Sequence, residues 1–94
     1  MSLEKIVYYI GVDSYSPTEQ ELIDMLPRAL QSLKPKRSQW NCDTVVNLLI
    51  LRYGLKNNNQ HTLQQLGDIY GRSKETIRCI ETKAFRMIRR YLSN

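Results

Sequence analysis

The stretch TLQQLGDIYGRSKETIRCIETKAFRMIRR, residues Thr62 to Arg90, decides how this chain is read. It opens with Thr62-Leu63-Gln64-Gln65, a capping box in which the Thr hydroxyl and the Gln amide satisfy backbone donors at a helix start. Leu63, Leu66 and Ile69 then fall on one helical face, and Gly71 ends the run. Ser73 is placed to cap a longer helix with Ile77, Ile80, Ala84, Ile88 and Leu92 directed inward. A helix of about two turns, a three- to four-residue turn with glycine and a longer helix form a helix-turn-helix. The reading places this unit at 62–92, with a prop helix at 63–70 and a recognition helix at 74–92. Gly67 suits it, because a side chain there would obstruct close approach of the two helices.

Charge singles out the same segment. Residues 1–71 carry seven basic and seven acidic residues, whereas residues 72–94 carry seven basic and two acidic, so the formal +5 resides in the last quarter. At 100° per residue Ile77, Ile80, Ala84 and Ile88 share one face, which turns Lys74, Arg78, Arg86 and Arg89 outward with Arg72 and Lys83 at the edges. Such a stripe neutralises phosphates and releases counterions, and six contacts give a salt slope of roughly −5. A charge run is usually only a solvated helix face. Here it comes after a prop helix and a turn in an otherwise neutral chain, which favours DNA.

Upstream, the spacing is helical nearly throughout. Leu3, Ile6, Val7 and Ile10 recur at i, i+3, i+4 and i+7 before Gly11, although Val7-Tyr8-Tyr9-Ile10 would also suit a strand. Ser16-Pro17-Thr18-Glu19 reads as a capping box with Pro17 at the first helical position, where its missing N–H costs nothing, leading into a stripe of Leu22, Leu26, Ala29, Leu30 and Leu33. Pro27 within it is expected to kink or split the helix. KPKRSQWNCD (34–43) reads as a basic connector with Trp40 as a core or edge aromatic, and Asn41 or Asp43 can cap the next helix. Val45, Val46, Leu48, Leu49, Ile50, Leu51 and Tyr53 mark that helix as the most buried. Gly54 fits a left-handed cap, with Leu55 folding back onto Ile50. Tyr8, Tyr9, Tyr15, Tyr53 and Tyr70 are expected to pack, Tyr91 and Leu92 to close the core, and His61 to help cap the prop helix. The expected fold is all-α: one domain over 1–94 with five or six helices and a C-terminal helix-turn-helix.

Composition limits function. No apolar run reaches the roughly 18 to 20 residues of a membrane span, and no basic-then-apolar leader opens the chain, which leads one to expect a cytoplasmic protein. Cys42 and Cys79, the only cysteines, form no C-x-x-C pair and are expected to be free thiols; His61 is the only histidine. No metal cluster, Ser-His-Asp set or phosphate-cradling Gly-rich loop is present in the sequence, so neither an enzyme nor a cofactor is expected.

LRYGL (Leu51–Leu55), a loop and the stretch from Thr62 to Arg90 resemble region 4 of the sigma-70 family of RNA polymerase sigma factors. The family consensus runs R-Y/F-G-L, a loop, T-L-E-E-I-G, a turn with V-S/T, then R-E-R-I-R-Q-I-E-x-K-A-L-x-K-L-R. The likeness covers 48–90 continuously, and MLPRALQSL (Met25–Leu33) is more loosely similar to the helix that opens the region. The resemblance implies recognition of promoter −35 DNA and docking on the β flap of RNA polymerase core. Lys74, Glu75, Arg78 and Cys79 then occupy base-reading slots, while Arg52, Thr62, Leu63, Lys83 and Arg86 occupy backbone-contacting or flanking ones. Arg72, Ser73, Thr76 and Arg89 complete the expected backbone set.

Three departures weaken the base-reading set. Lys74 stands for an Arg, losing a fork that suits guanine. Thr76 stands for another Arg, and Cys79 for a Gln. The connector is also longer than the family's, and the sigma regions that melt promoters are absent from these residues. The resulting expectation is a monomeric domain that binds double-stranded DNA in transcription initiation or its regulation, cytoplasmic and nucleoid-associated, of bacterial or phage type. The alternative is a protein-interaction module that docks on the polymerase or another regulator without specific DNA binding.

Overall fold

A computed structural model describes residues 2–31 and 40–93. Among them are five helices and no strand: α1 Ser2–Ile10, α2 Glu19–Ala29, α3 Cys42–Tyr53, α4 Leu63–Tyr70 and α5 Lys74–Ser93. Leu33 and most of the connector lie outside the described residues.

Helix boundaries obey side-chain chemistry. The expected Ser16–Glu19 box is displaced by two residues: Thr18 caps α2, its hydroxyl accepting from the Glu21 amide while Glu21 Oε1 accepts from the Thr18 amide, and Pro17 lies before the helix. Asn41, the nearer of the two candidates, caps α3. Gly54 ends α3 at φ 60°, and the Leu55 amide reaches back to the Ile50 carbonyl at 3.0 Å. α1 is helical through the stretch that also suited a strand, and Gly11 closes it at φ 72°. Its apolar residues lie at helical spacing, and Ile6 and Ile10 are fully buried.

Pro27 does not split α2, which runs unbroken to Ala29. The missing N–H falls in the last turn, where it removes one bond of a helix about to end, and the Pro27 carbonyl accepts a weak bond from Cys42 Sγ.

One core joins all five helices. Leu22, Leu26 and Leu30 of the α2 segment meet Leu48 and Leu49 of α3, with Leu55, Leu66, Ile77 and Ile88 closing it. Fully burying one such side chain contributes about 1.5–3 kcal/mol, so α3 and α5 form the platform on which shorter elements sit. Trp40 is buried and its ring lies 5.6 Å from that of Tyr70.

Three packing expectations fail, and that for Tyr9 is met only in part, since its ring stacks on Phe85 while the residue stays exposed. Tyr8 is 80% exposed and Tyr91 is 42% exposed, leaving Leu92 alone of the last pair packed against the core. Ile69 is 55% exposed, because α4 is held to α5 through its glycine edge and Ile69 lies away from that contact. His61 does not cap α4, a role Thr62 fills; its backbone amide and Nδ1 both reach the Leu51 carbonyl, at 3.0 and 3.1 Å.

Candidate nucleic-acid interface

The site begins with how α4 meets α5. Thr62 and Gln65 close the capping box at 3.1 and 2.8 Å. At the other end Gly71 takes φ 68°, and the Gly67 carbonyl accepts from the amides of Gly71 and Arg72. A Cβ on Gly67 would lie 2.5 Å from the Arg72 carbonyl oxygen, while one on Gly71 would meet nothing within 4 Å. The two glycines therefore serve different needs. Gly67 makes room for the backbone of the turn itself, one step before the recognition helix. Gly71 supplies a left-handed conformation and nothing else.

Ser73 starts α5. Its hydroxyl accepts from the Thr76 amide at 3.2 Å and lies 3.1 Å from the Thr76 hydroxyl. Thr76 is thereby engaged in the helix start and only half-exposed.

From there α5 presents two chemically distinct sides. Lys74, Glu75, Arg78, Cys79, Lys83 and Arg86 are all exposed. Ile77, Ala84, Phe85 and Ile88 are buried, and so is Glu81 at 8%. Since Glu81 is one of only two acidic residues after position 71, Glu75 is the sole carboxylate on the outward side. The electrostatic face is more basic than the sequence count suggests.

Glu81 was not expected to matter, nor was Phe85. The Glu81 carboxylate accepts a short hydrogen bond from the Tyr53 hydroxyl, and its Oε2 lies 3.8 Å from Arg52 Nε. Arg52 Nη1 in turn donates to the His61 carbonyl at 3.1 Å. The half-buried Arg52 thus ties α3, the approach to α4 and the recognition helix together. Burial, and then the bond to Glu81, push the Tyr53 phenol well above its ordinary value, so it stays a donor. Helical arithmetic could have found Glu81: it lies four residues after Ile77 and seven before Ile88, inside the inward sector.

The remaining candidates divide. Arg72 is exposed, with Nη1 3.3 Å from the Gly71 carbonyl. Leu63 is half-buried and lines, with Arg52 and Arg78, a cleft of about 290 Å³. Arg89 stands apart. Its Nε donates to the Ile10 carbonyl at 2.7 Å and its Nη2 to the Tyr9 carbonyl at 3.3 Å, so its guanidinium caps α1. A cation at a helix C-terminus is electrostatically favoured. Cys42 and Cys79 are free thiols, and Cys79 lies on the exposed side of α5.

No helix among the described residues is long and apolar enough to cross a membrane. No group of three or more potential metal ligands occurs among them.

Residues 47–90 match the family described as Sigma-70, region 4. The RNA polymerase sigma factor SigA of Listeria monocytogenes and that of Listeria innocua are each 32% identical to the chain over 77 residues, 82% of this chain and 20% of theirs. The chain therefore spans about a fifth of the length of these curated relatives. No solved structure matches it.

Proposed function

Residues 47–90 of this chain belong to the sigma-70 region 4 family, and on that premise we propose that the domain binds duplex DNA through α5 in transcription initiation or its control. The observation that carries this reading is the exposed side of α5. It presents Lys74, Arg78, Lys83 and Arg86 with Glu75 as its only carboxylate, on a helix whose first turn is set by Ser73 and the glycine turn. In a helix-turn-helix the amino-terminal turns of the second helix enter the major groove.

Lys74, Glu75, Arg78 and Cys79 are the base-facing set, and Glu75 can accept from a cytosine amino group. Arg72, Lys83 and Arg86 meet phosphates, with Arg52, Thr62 and Leu63 at the flank. Ser73 and Thr76 act through the helix start. We leave Arg89 out of this set, because its guanidinium is engaged by α1. Reading of −35-type promoter sequence, and docking on the polymerase β flap, extend the same reading.

Titrating a duplex with the protein at rising salt tests it. A log–log slope of several units is expected. A flat dependence, or no binding at low salt, would leave the protein-interaction module instead. Glu75→Gln is expected to shift preference at one base pair by about 1 to 3 kcal/mol. An equal loss on every sequence would mean that Glu75 reads no base.

A further inference from the structure

The cleft beside Arg52 has a wall that the helix-turn-helix does not supply. It is lined by Arg52 from α3, Leu63 from α4, Arg78, Glu81, Thr82 and Phe85 from α5, and Tyr9 from α1. α1 lies outside residues 47–90, so this wall is an addition to the family unit.

We propose that Tyr9 makes α1 part of the DNA-binding surface: with Arg52, and beside the base-facing Arg78, it completes a cleft that takes a phosphate of the duplex backbone. The inference rests on the reading of α5 as a DNA-binding helix.

Tyr9 is held in place from two directions. Its ring stacks on Phe85, with centroids 5.8 Å apart and planes 26° apart, and lies 6.3 Å from the ring of Tyr53. Beneath it, Arg89 bonds the carbonyls of Tyr9 and Ile10, fixing the end of α1 against α5. The residue nevertheless stays 46% exposed.

The charge in the cleft suits an anion. Arg52 and Arg78 stand against one carboxylate, Glu81, which is already engaged by Tyr53 and Arg52. On its other side Tyr9 borders a cleft of about 220 Å³ with Thr82 and Arg86. The ring therefore sits between Arg78 and Arg86, which are about 12 Å apart along the helix axis. A phosphodiester backbone crossing α5 there passes cation, phenol, cation. Tyrosine hydroxyls are regular donors to DNA phosphates.

Tyr9→Phe tests this, because it removes the hydroxyl and keeps the stacked ring. The variant and the parent chain are titrated with two duplexes of unrelated sequence over a range of salt, and their thermal melting is compared. Expected are an unchanged melting temperature and a loss of about three- to tenfold on both duplexes, the worth of one hydrogen bond. The salt slope should stay the same, because no charge is lost, whereas Arg86→Gln, which removes a phosphate-facing charge, should reduce it by about one. Parental affinity in Tyr9→Phe overturns the proposal while the α5 reading stands. Tighter binding also overturns it, and would make α1 a cover over the cleft. Absence of salt-steep binding by the parent overturns the α5 reading, and this proposal with it.

Discussion

Two short helices pack against α5, and they are held in opposite ways. α4 is joined to it by a turn, and the join is backbone on backbone: Gly67 leaves space for the Arg72 carbonyl, and Gly71 reverses the chain. α1 comes from the far end of the sequence and is held by side chains, with Arg89 on its last carbonyls and Phe85 under Tyr9. A backbone join fixes an angle and tolerates no added atom. A side-chain join can be loosened one contact at a time. Positioning of the recognition helix therefore depends on α4, while α1 can vary without disturbing it.

The comparison breaks most severely at Gly67. Gly67→Leu should overpack the turn and cost about 3 kcal/mol, measured by denaturant melting, and DNA affinity should fall although the side chain touches no DNA. A variant of native stability and unchanged affinity would mean that the join is not tight. Gly71 should respond to a different variable. Gly71→Val is expected to cost about 1–2 kcal/mol for its left-handed backbone, and Gly71→Asn only a few tenths, since Asn tolerates that conformation. Because nothing lies near a Cβ there, the loss should track conformational preference and ignore size.

On the α1 side, Arg89→Met removes the guanidinium but keeps the stem. About 1 kcal/mol should be lost, and amide exchange should accelerate in α1 while α4 and α5 stay protected. Loss of protection throughout the chain would show that α1 is part of the same cooperative join.

The smallest effect concerns caps. α4 opens on Thr62 and Gln65, α2 on the matching pair Thr18 and Glu21. Bonds from Thr18 hold the Glu21 carboxyl below its ordinary range. Its folded pKa is depressed, so its stabilisation is present above about pH 4.5 and is lost as pH falls through the folded value. In a pH titration monitored by amide chemical shifts, Thr18 should move with acid and Thr62 should not.

The same contrast explains what was legible in the sequence. The helix-turn-helix was readable because its signals are local: a capping box, two glycines four residues apart and a serine cap, each acting within a turn. Gly67 and Gly71 carry separate reasons that the residues alone suggest, close approach at one and a left-handed cap at the other. α1 was readable as a helix but not as a neighbour of α5, because nothing near Tyr9 or Ile10 announces an arginine 79 positions away. Arg89 accordingly looked like part of the basic stripe, and Tyr8 like a packed aromatic. Glu81 was hidden for another reason. A charge count treats every carboxylate as exposed, and this one is buried under Tyr53 and Arg52.

The reach of Arg89 has a consequence in time. At roughly 5–20 residues per second, about 4 to 16 seconds separate the synthesis of Ile10 from that of Arg89. Through that interval α1 has no cap from α5 and no Phe85 to lie on, and nine residues are too few to hold a helix alone. The first helix of the chain is therefore among the last to be secured, and its order reports that α5 has been made and folded.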